Sequence, residues 1–113
     1  MEPQKGEIWL VNFDPTVGSE VSKKRPAIVM SSNVIGILPL RIIVPVTSWQ
    51  EKFANNPWLI KIEKNLTNNL NNDSTADAFQ VKSISNERFI KKIGSISDSL
   101  VNEIKMGIIL CIG

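Results

Sequence analysis

The sequence contains no histidine and a single cysteine, Cys111, and these absences exclude several kinds of site. A structural zinc site takes four ligands drawn mainly from cysteine and histidine, so this chain cannot build one. Without histidine it also lacks the commonest general base and every Ser–His–Asp or Cys–His catalytic arrangement. Any catalysis must therefore use other side chains.

The sequence also lacks a signal peptide and any apolar run long enough to span a membrane. One thiol cannot form a disulfide within the chain. We therefore expect a cytoplasmic protein that does not associate with a membrane. Cys111 lies in an apolar stretch, and we interpret it as a small core residue rather than a nucleophile.

The length and composition favour one globular, strand-rich domain over residues 1–113. Hydrophobic residues make up 42% of the chain and charged residues 21%, as in ordinary globular proteins. Valine and isoleucine are abundant, which favours strands because β-branched side chains suit a pleated surface. The net charge of +2 says little about a partner, whereas the run Lys23–Lys24–Arg25 is a local basic feature.

Short apolar runs separated by proline, glycine and asparagine predict six strands. Pro45 lacks a backbone donor, so we expect it at a strand end, an edge or a bulge. Gly94 is expected to interrupt the last strand. The asparagine-rich segment Asn65–Asp73 is interpreted as a loop because short amide side chains favour turns, with disorder as the alternative. The predicted strands are Glu7–Phe13, Pro26–Ser31, Leu40–Val46, Pro57–Ile62, Ala76–Ile84 and Phe89–Ile96.

A C-terminal helix is predicted after Ser97, which is a suitable N-cap and is followed by the favourable first-turn anion Asp98. Gly107 lies inside this helix and argues against it, because glycine disfavours a helix interior. Several short strands and one closing helix predict a mainly β fold with a small, barrel-like sheet. The apolar residues at helical spacing are Leu100, Val101, Ile104, Ile108 and Cys111.

A set of short motifs keeps one order along nearly the whole chain. They are GEIWLV at 6–11, FDPT at 13–16, GSE at 18–20, RP at 25–26, VPVTS at 44–48, DS at 73–74, Gln80, KIG at 92–94 and ISD at 96–98. Each motif alone is trivial, but together they resemble the MazF/PemK family of toxins.

This resemblance implies an SH3-like, PemK-like barrel with a C-terminal helix, a homodimer, and cleavage of single-stranded RNA. It also implies a cognate MazE-like antitoxin whose disordered tail folds over the RNA-binding groove. The reaction implied is transesterification, in which the ribose 2′-hydroxyl attacks its own phosphate and leaves 2′,3′-cyclic phosphate and 5′-hydroxyl ends. Because that reaction needs no metal and no protein nucleophile, we expect neither a metal nor a cofactor.

The resemblance assigns catalysis to Arg25 and Thr47. An arginine fork can place two N–H donors on two phosphate oxygens, which lysine cannot copy. We expect Arg25 to follow a loop rather than lie within a strand; the alternatives are a solvated cation or a pair with Glu20. Thr47, at the end of the third strand, can bind the phosphate or relay a proton, although such a residue is also common there without a function. Since a guanidinium stays protonated in proteins, the general base is left unassigned.

For RNA contact we expect the loops Thr16–Arg25 and Ser48–Asn56. Lysines can attract the RNA backbone, Phe79 can stack on a base or pack in the core, and Gln80 can read a base edge. Trp9 is expected in the core. Trp49 and Trp58 flank the second loop, and one of them can be a stacking platform or part of the antitoxin-binding surface; the alternative is a role in the core, which is favoured for Trp58. The predicted RNA-binding residues are Ser19, Glu20, Lys23, Lys24, Ser48, Trp49, Phe79 and Gln80.

The sequence departs from part of the family. Some relatives have histidine where Ser19 follows Gly18, and an arginine and an acid where Asp77 and Phe79 stand. A carboxylate base immediately before Gln80 is therefore missing, which favours a scheme built on arginine and threonine. Two alternatives stay open: a binding toxin of the gyrase-poison type on the same fold, and an inactive relative that only binds antitoxin.

Overall fold

The computed structural model describes residues 2–20 and 22–113, and within them the chain forms seven strands and one α-helix. Short 3-10 turns occur at residues 33–35, 51–55, 78–80 and 86–88. The strands and the helix are β1 (Glu7–Asn12), β2 (Lys24–Val29), β3 (Leu40–Ser48), β4 (Leu59–Ile62), β5 (Ser74–Asp77), β6 (Lys82–Ser85), β7 (Phe89–Ser95) and α1 (Asp98–Ile112).

The strands pair antiparallel in the order β4-β5-β3-β2-β1-β7, and β6 pairs with the first half of β3. This confirms the mainly β fold with a C-terminal helix. In the described part of the chain the end strands β4 and β7 do not pair with each other, so the barrel is not closed. β3 is shared: its residues 40–43 pair with β6 and its residues 46–48 pair with β5. Pro45 lies inside β3 between these two ladders, where its missing donor interrupts neither.

The prediction of one strand over Ala76–Ile84 is wrong. The Asp77 carboxylate accepts a hydrogen bond from the backbone N–H of Phe79 at 3.1 Å, which starts the 3-10 turn at 78–80. This turn ends β5 and begins a new strand, β6. The chain thereby passes from one half of β3 to the other, since both strands pair with β3.

Both faces of the sheet are apolar, because neighbouring residues of a strand point to opposite faces. This is why β1 reads as a nearly continuous apolar run. The face under α1 is formed by Ile8, Ile28, Met30, Val44, Val46, Ile62 and Ala76 with Val101 and Ile104 of the helix. The other core cluster contains Trp9, Val11, Phe13, Ala27, Val29, Ile43, Ile84 and Phe89.

The helix α1 forms as expected, with the Ser97 hydroxyl accepting from the N–H of Leu100 at 3.2 Å. Gly107 does not break it. A Cβ at Gly107 would lie 2.7 Å from Ile60 Cδ1 and 3.2 Å from Ala78 Cβ, so glycine allows the helix to approach the sheet closely. Gly94 lies within β7, which continues to Ser95, but the pairing with β1 is irregular beside it, because Ile8 pairs with Gly94 and Trp9 pairs with Lys92. Gly94 is also a site of close approach.

Two predictions about the core are wrong and one is confirmed. Trp9 is buried, and its ring meets Phe89 edge to face at 5.8 Å. Trp58 is only half-buried and lines a surface pocket. Cys111 is half-buried on α1 instead of lying in the core, because it stands in the last turn of the helix, beyond the buried residues Val101, Ile104 and Gly107. Burial and the nearby charge of Asp77 raise the pKa of the Cys111 thiol.

Candidate RNA-binding site

The sheet opens where β2 and β3 diverge. The two strands are paired from Val29–Ile43 to Ala27–Pro45, and the pairing ends there. Beyond this point β2 stays paired with β1 and β3 stays paired with β5. An opening therefore forms between the two strands, which we call the cleft. Arg25 and Thr47 stand on its two sides, and both line it.

Arg25 lies within β2, paired with Val11, so the expectation that it would lie outside a strand is wrong. β2 begins two residues earlier than predicted because β1 continues far enough to pair with it. The Arg25 Nε donates to the carbonyl of Ser22 at 3.1 Å, which holds one edge of the guanidinium. The expected alternative of an ion pair with Glu20 is not formed, since the Glu20 carboxylate accepts from the backbone of Val17 at 2.7 Å.

The three arginines of the chain differ in how they are held. Arg41 is buried, and all three of its guanidinium nitrogens donate to backbone carbonyls. Arg88 donates to the carbonyls of Asn12 and Asp14. For Arg25, no residue in 2–20 or 22–113 accepts a hydrogen bond from the two terminal nitrogens. Their donors are therefore available to a ligand in the cleft.

The cleft has a volume of about 480 Å³ and is an open groove. Thr47 and Ser48 of β3 line it, as the sequence led us to expect. Its remaining polar walls come from the connector between β4 and β5, from the first residue of β5 and from β7, which sequence reasoning missed. The asparagine-rich composition was the available signal, although it was interpreted only as a loop. These additional polar residues are Asn69, Asn71, Asn72, Ser74 and Lys91.

The cleft is positively charged. The residues that line it include two cations, Arg25 and Lys91, and no aspartate or glutamate. Lys91 is exposed, whereas the neighbouring Lys92 forms an ion pair with Glu7 at 2.9 Å. A groove with cations and neutral hydrogen-bonding groups suits a polyanion that also carries polar bases.

A second group of the predicted residues forms a separate surface, which we call the aromatic patch. Phe79 is its centre, and it is 66% exposed, so packing in the core is excluded. The Gln80 Nε2 donates to the Asp77 carboxylate at 3.0 Å. The patch surrounds a shallow pocket of about 530 Å³ and comprises Ser19, Glu20, Trp58, Asp77, Phe79 and Gln80.

Three other predicted RNA-binding residues line neither the cleft nor the aromatic patch. Trp49 is half-buried, donates to Glu51 at 3.2 Å and has the Lys61 ammonium 5.3 Å from its ring centre. Lys23 and Lys24 are exposed at the start of β2. Val21, inside the predicted RNA-contacting loop, lies outside the described residues. The other predicted loop, over 48–56, contains a 3-10 turn at 51–55.

Within 2–20 and 22–113, no cluster of three or more histidine, cysteine, aspartate or glutamate side chains is arranged to hold a metal ion. None of the helices in that part of the chain is long and apolar enough to cross a membrane.

Comparison with known proteins places this geometry in a family. The model of the PemK-like, MazF-like toxins of type II toxin–antitoxin systems matches residues 4–112. The Mycobacterium tuberculosis endoribonuclease MazF9 is 36% identical over 100 residues, which cover 83% of this chain and 82% of the relative.

Solved structures share the fold. A MazF from Deinococcus radiodurans superposes with a TM-score of 0.83 at 22% identity, covering 100% of this chain and 98% of that one. A mycobacterial endoribonuclease in complex with its cognate antitoxin superposes with a TM-score of 0.76 at 12% identity, covering 98% and 95%. The chain therefore belongs to the PemK-like, MazF-like family of toxins of type II toxin–antitoxin systems.

Proposed function

We propose that this toxin is a sequence-selective endoribonuclease that cleaves single-stranded RNA in the cleft, without a metal or other cofactor. The observation that carries the proposal is that Arg25 and Thr47 line the same cationic groove. Within residues 2–20 and 22–113, the terminal nitrogens of Arg25 donate to no acceptor, since only its Nε is hydrogen-bonded. Family membership and the endoribonuclease activity named for MazF9 support it.

In the proposed reaction the 2′-oxygen of a ribose attacks the adjacent phosphorus, and the bond from phosphorus to the 5′-oxygen breaks. The 2′-hydroxyl loses its proton, the departing 5′-oxygen gains one, and the products carry 2′,3′-cyclic phosphate and 5′-hydroxyl ends. Arg25 stabilises the negative charge that builds on the phosphorane oxygens. Holding the attacking oxygen in line with the leaving oxygen supplies a further part of the rate.

Thr47 is assigned to positioning the phosphate and to proton relay through its hydroxyl. It lies two residues beyond Pro45, on the half of β3 that pairs with β5, where it is paired with Thr75. The pairing fixes its backbone and the β-branch restricts its side chain, so a hydroxyl at this point can bind a phosphate oxygen without a large loss of side-chain freedom. The adjacent Ser48 offers a second hydroxyl at the rim of the cleft.

The aromatic patch is assigned to the bases of the bound strand. An exposed phenylalanine provides a stacking surface, and a base stacked on an aromatic ring contributes about 1–3 kcal/mol. Gln80, oriented by Asp77, can accept or donate at a base edge. Ser19 and Glu20 border the same surface. The three predicted residues outside both surfaces are assigned to contacts with RNA backbone beyond the cleft or with a protein partner; they are Lys23, Lys24 and Trp49.

The decisive experiment incubates purified protein with a long single-stranded RNA in excess EDTA and determines the chemistry of the new ends. We expect fragments with 2′,3′-cyclic phosphate and 5′-hydroxyl ends, and their loss in Arg25→Ala. Lys105→Gln, an exposed change on α1 away from the cleft, is the matched control. Full-rate cleavage by Arg25→Ala would refute the site.

Intact RNA from folded, antitoxin-free wild-type protein would refute the nuclease. It would then favour a binding toxin of the gyrase-poison type or an inactive relative, which DNA damage with intact messenger RNA would separate from each other.

We also propose that a MazE-like cognate antitoxin neutralises this toxin in the cytoplasm. A mycobacterial endoribonuclease of the same fold has been solved with its cognate antitoxin. The cleft and the aromatic patch together offer cations, the exposed amides of Asn71 and Asn72 and an exposed ring, which an acidic, disordered segment can cover by folding upon them. Titration with the antitoxin is expected to abolish RNA cleavage.

A homodimer is the assembly we propose, with part of α1 at its interface. The outward side of this helix carries Met106, Ile109, Leu110 and Ile112, each about half exposed or more. A row of large apolar side chains in water is typical of a surface that another protein covers. Light scattering of the purified toxin is expected to give twice the mass of the chain, and Leu110→Glu is expected to lower it.

A further inference from the structure

The connector between β4 and β5 contains five asparagines, and the structure divides them into two groups. Asn65, Asn68 and Asn69 hold the connector together. The Asn68 side chain is buried; its oxygen accepts from the N–H groups of Asn65 and Leu70, and its nitrogen donates to the carbonyl of Glu63 at 2.9 Å. The Asn69 Nδ2 donates to the carbonyl of Ile93 at 3.0 Å.

The remaining two, Asn71 and Asn72, are exposed and line the cleft. In the part of the chain that the structure describes, neither side-chain amide has a hydrogen-bonding partner. Each therefore offers the two N–H donors of its NH2 group and the acceptor oxygen of its carbonyl to whatever occupies the cleft. Their positions are set by the neighbouring bonds, because the Asp73 carboxylate accepts from the N–H of Lys64 and the Asp73 carbonyl accepts from Trp49.

The connector is also fixed from below by Gly94. A Cβ at this position would lie 2.6 Å from the carbonyl oxygens of both Thr67 and Asn68, so the connector rests directly on the backbone of β7. Asn69 adopts a left-handed conformation with φ of 53°, which asparagine tolerates better than most residues. The asparagine-rich segment is thus a preorganised wall, and little conformational freedom remains to be lost when a ligand binds.

Resting on the proposed nuclease function, we propose that Asn71 and Asn72 are specificity-determining residues that read the edges of bases next to the scissile phosphate. A primary amide presents a donor and an acceptor side by side, which complements the base edges that are free in single-stranded RNA. The cleft carries no acidic side chain that would compete for the donors or repel the strand. Arg25 binds the phosphate, and the amides select which nucleotides bring a phosphate to it.

The test maps every cleavage site of wild type, Asn71→Ala, Asn72→Ala and the double variant on one long RNA with all short motifs represented. Both residues are exposed, so the variants are expected to fold and melt as wild type does. We expect wild type to cut at a restricted motif and the double variant to lose about tenfold of its preference for a base at one position or more. Asn102→Ala, an exposed asparagine of α1, is the matched control and should keep the motif.

A motif that is unchanged in the double variant, with cleavage still dependent on Arg25, would overturn the inference and leave the nuclease standing. A binding selection from a random single-stranded RNA pool makes the inference testable independently of cleavage. If wild type does not cut RNA, a base preference in binding that disappears in the double variant would still support base recognition by Asn71 and Asn72. Identical selected pools would reject it.

Discussion

The cleft and the aromatic patch are two surfaces of one small sheet, and they differ in charge. The cleft has Arg25 and Lys91 and no carboxylate, whereas the aromatic patch has Glu20 and Asp77 and no cation. A phosphate is stabilised in the first and repelled in the second. The aromatic patch instead has Phe79, whose exposed ring is uncharged and can stack on a base.

This difference teaches that phosphate binding and the stacking of bases on an aromatic ring are separated in space. Both surfaces use β5, since Ser74 at its start lines the cleft and Asp77 at its end belongs to the aromatic patch. A strand of RNA that follows β5 meets the cationic site first and the stacking surface second. Changes on the two surfaces should therefore act on different kinetic parameters.

The largest effect is expected from Arg25→Ala, which removes the donors aimed at the phosphorane. Loss of one such donor in other enzymes lowers kcat by about 10² to 10³, and we expect the same range here. Single-turnover cleavage of a short RNA measures it. Arg25→Lys should recover only a small part of the rate, because lysine keeps the charge but lacks the fork. An Arg25→Lys rate equal to that of wild type would show that the geometry of the fork is irrelevant.

The second effect compares glycines that support the two surfaces. In Gly94→Ala the new Cβ meets two carbonyl oxygens that cannot move independently, so we expect a loss of about 1–3 kcal/mol in the free energy of unfolding. Cleavage should fall with it, since the wall of the cleft shifts. Urea denaturation followed by a cleavage assay measures both.

Gly107→Ala is the counterpart beside the aromatic patch and should cost less. Its Cβ meets the flexible end of Ile60, and alanine gains about 1 kcal/mol of helix propensity over glycine. An equal or larger loss in Gly107→Ala than in Gly94→Ala would contradict this account.

For the aromatic patch, Phe79→Ala is expected to weaken RNA binding about tenfold while leaving the single-turnover rate at saturation near wild type. Stability should hardly change because the ring is largely exposed. Binding of a non-cleavable RNA with the attacking 2′-hydroxyl methylated gives the dissociation constant. A lower saturating rate without weaker binding would show that Phe79 acts in catalysis. It would contradict the separate roles of the cleft and the aromatic patch.

Lys91 and Lys92 sharpen the comparison within one strand. Lys91→Gln should reduce the slope of log affinity against log salt concentration by about 0.7, which corresponds to one phosphate contact on a single strand. Lys92→Gln should leave this slope unchanged, since Lys92 is paired with Glu7. A larger change for Lys92 would mean that the cleft is not the path of the backbone.

The smallest effect concerns Glu7. Burial raises the pKa of Glu7, but hydrogen bonds from Lys92 and Trp9 lower it more, so the net pKa lies below the ordinary value of 4.5. The carboxylate therefore adds stability that is present above about pH 4.5 and lost as pH falls through the lowered pKa. Because Lys92 is about half exposed, we expect no more than about 0.5 kcal/mol. Glu7→Gln should remove this part of the acid dependence in urea titrations from pH 7 to pH 3.

Much of the fold could be predicted because local signals agree with it. Apolar runs gave β1, β2 and β3 within two residues at each end, and the Ser97 cap gave the start of α1. The break at Asp77 was missed because the bonds that end β5 come from a side chain, while the apolar pattern continues through it. Gly107 misled the prediction for a related reason: it allows a close tertiary contact between helix and sheet, whereas helix propensity describes only the local chain.

The candidate site was predictable only in part. Arg25 and Thr47 were found through the resemblance, and the structure brings them to one opening. The sequence of β7 alone does not indicate that Lys91, and not Lys92, lines the cleft. That depends on which of the two residues pairs with Leu10 of β1 in the folded sheet. The role of the asparagine-rich connector could not be predicted for the same reason. Which of its side-chain amides bond within the protein and which are exposed is decided only when the connector folds.

The attachment of the asparagine-rich connector has an evolutionary consequence. Arg25 and Thr47 lie on paired strands, whereas Asn71 and Asn72 lie on a surface segment anchored mainly through Asn68 and Gly94. Substitutions at the two exposed asparagines disturb neither the anchors nor the reacting groups. With the proposed roles of these residues, a lineage of such toxins can change the set of RNAs it cuts through one or two mutations, while inheriting the same cutting chemistry.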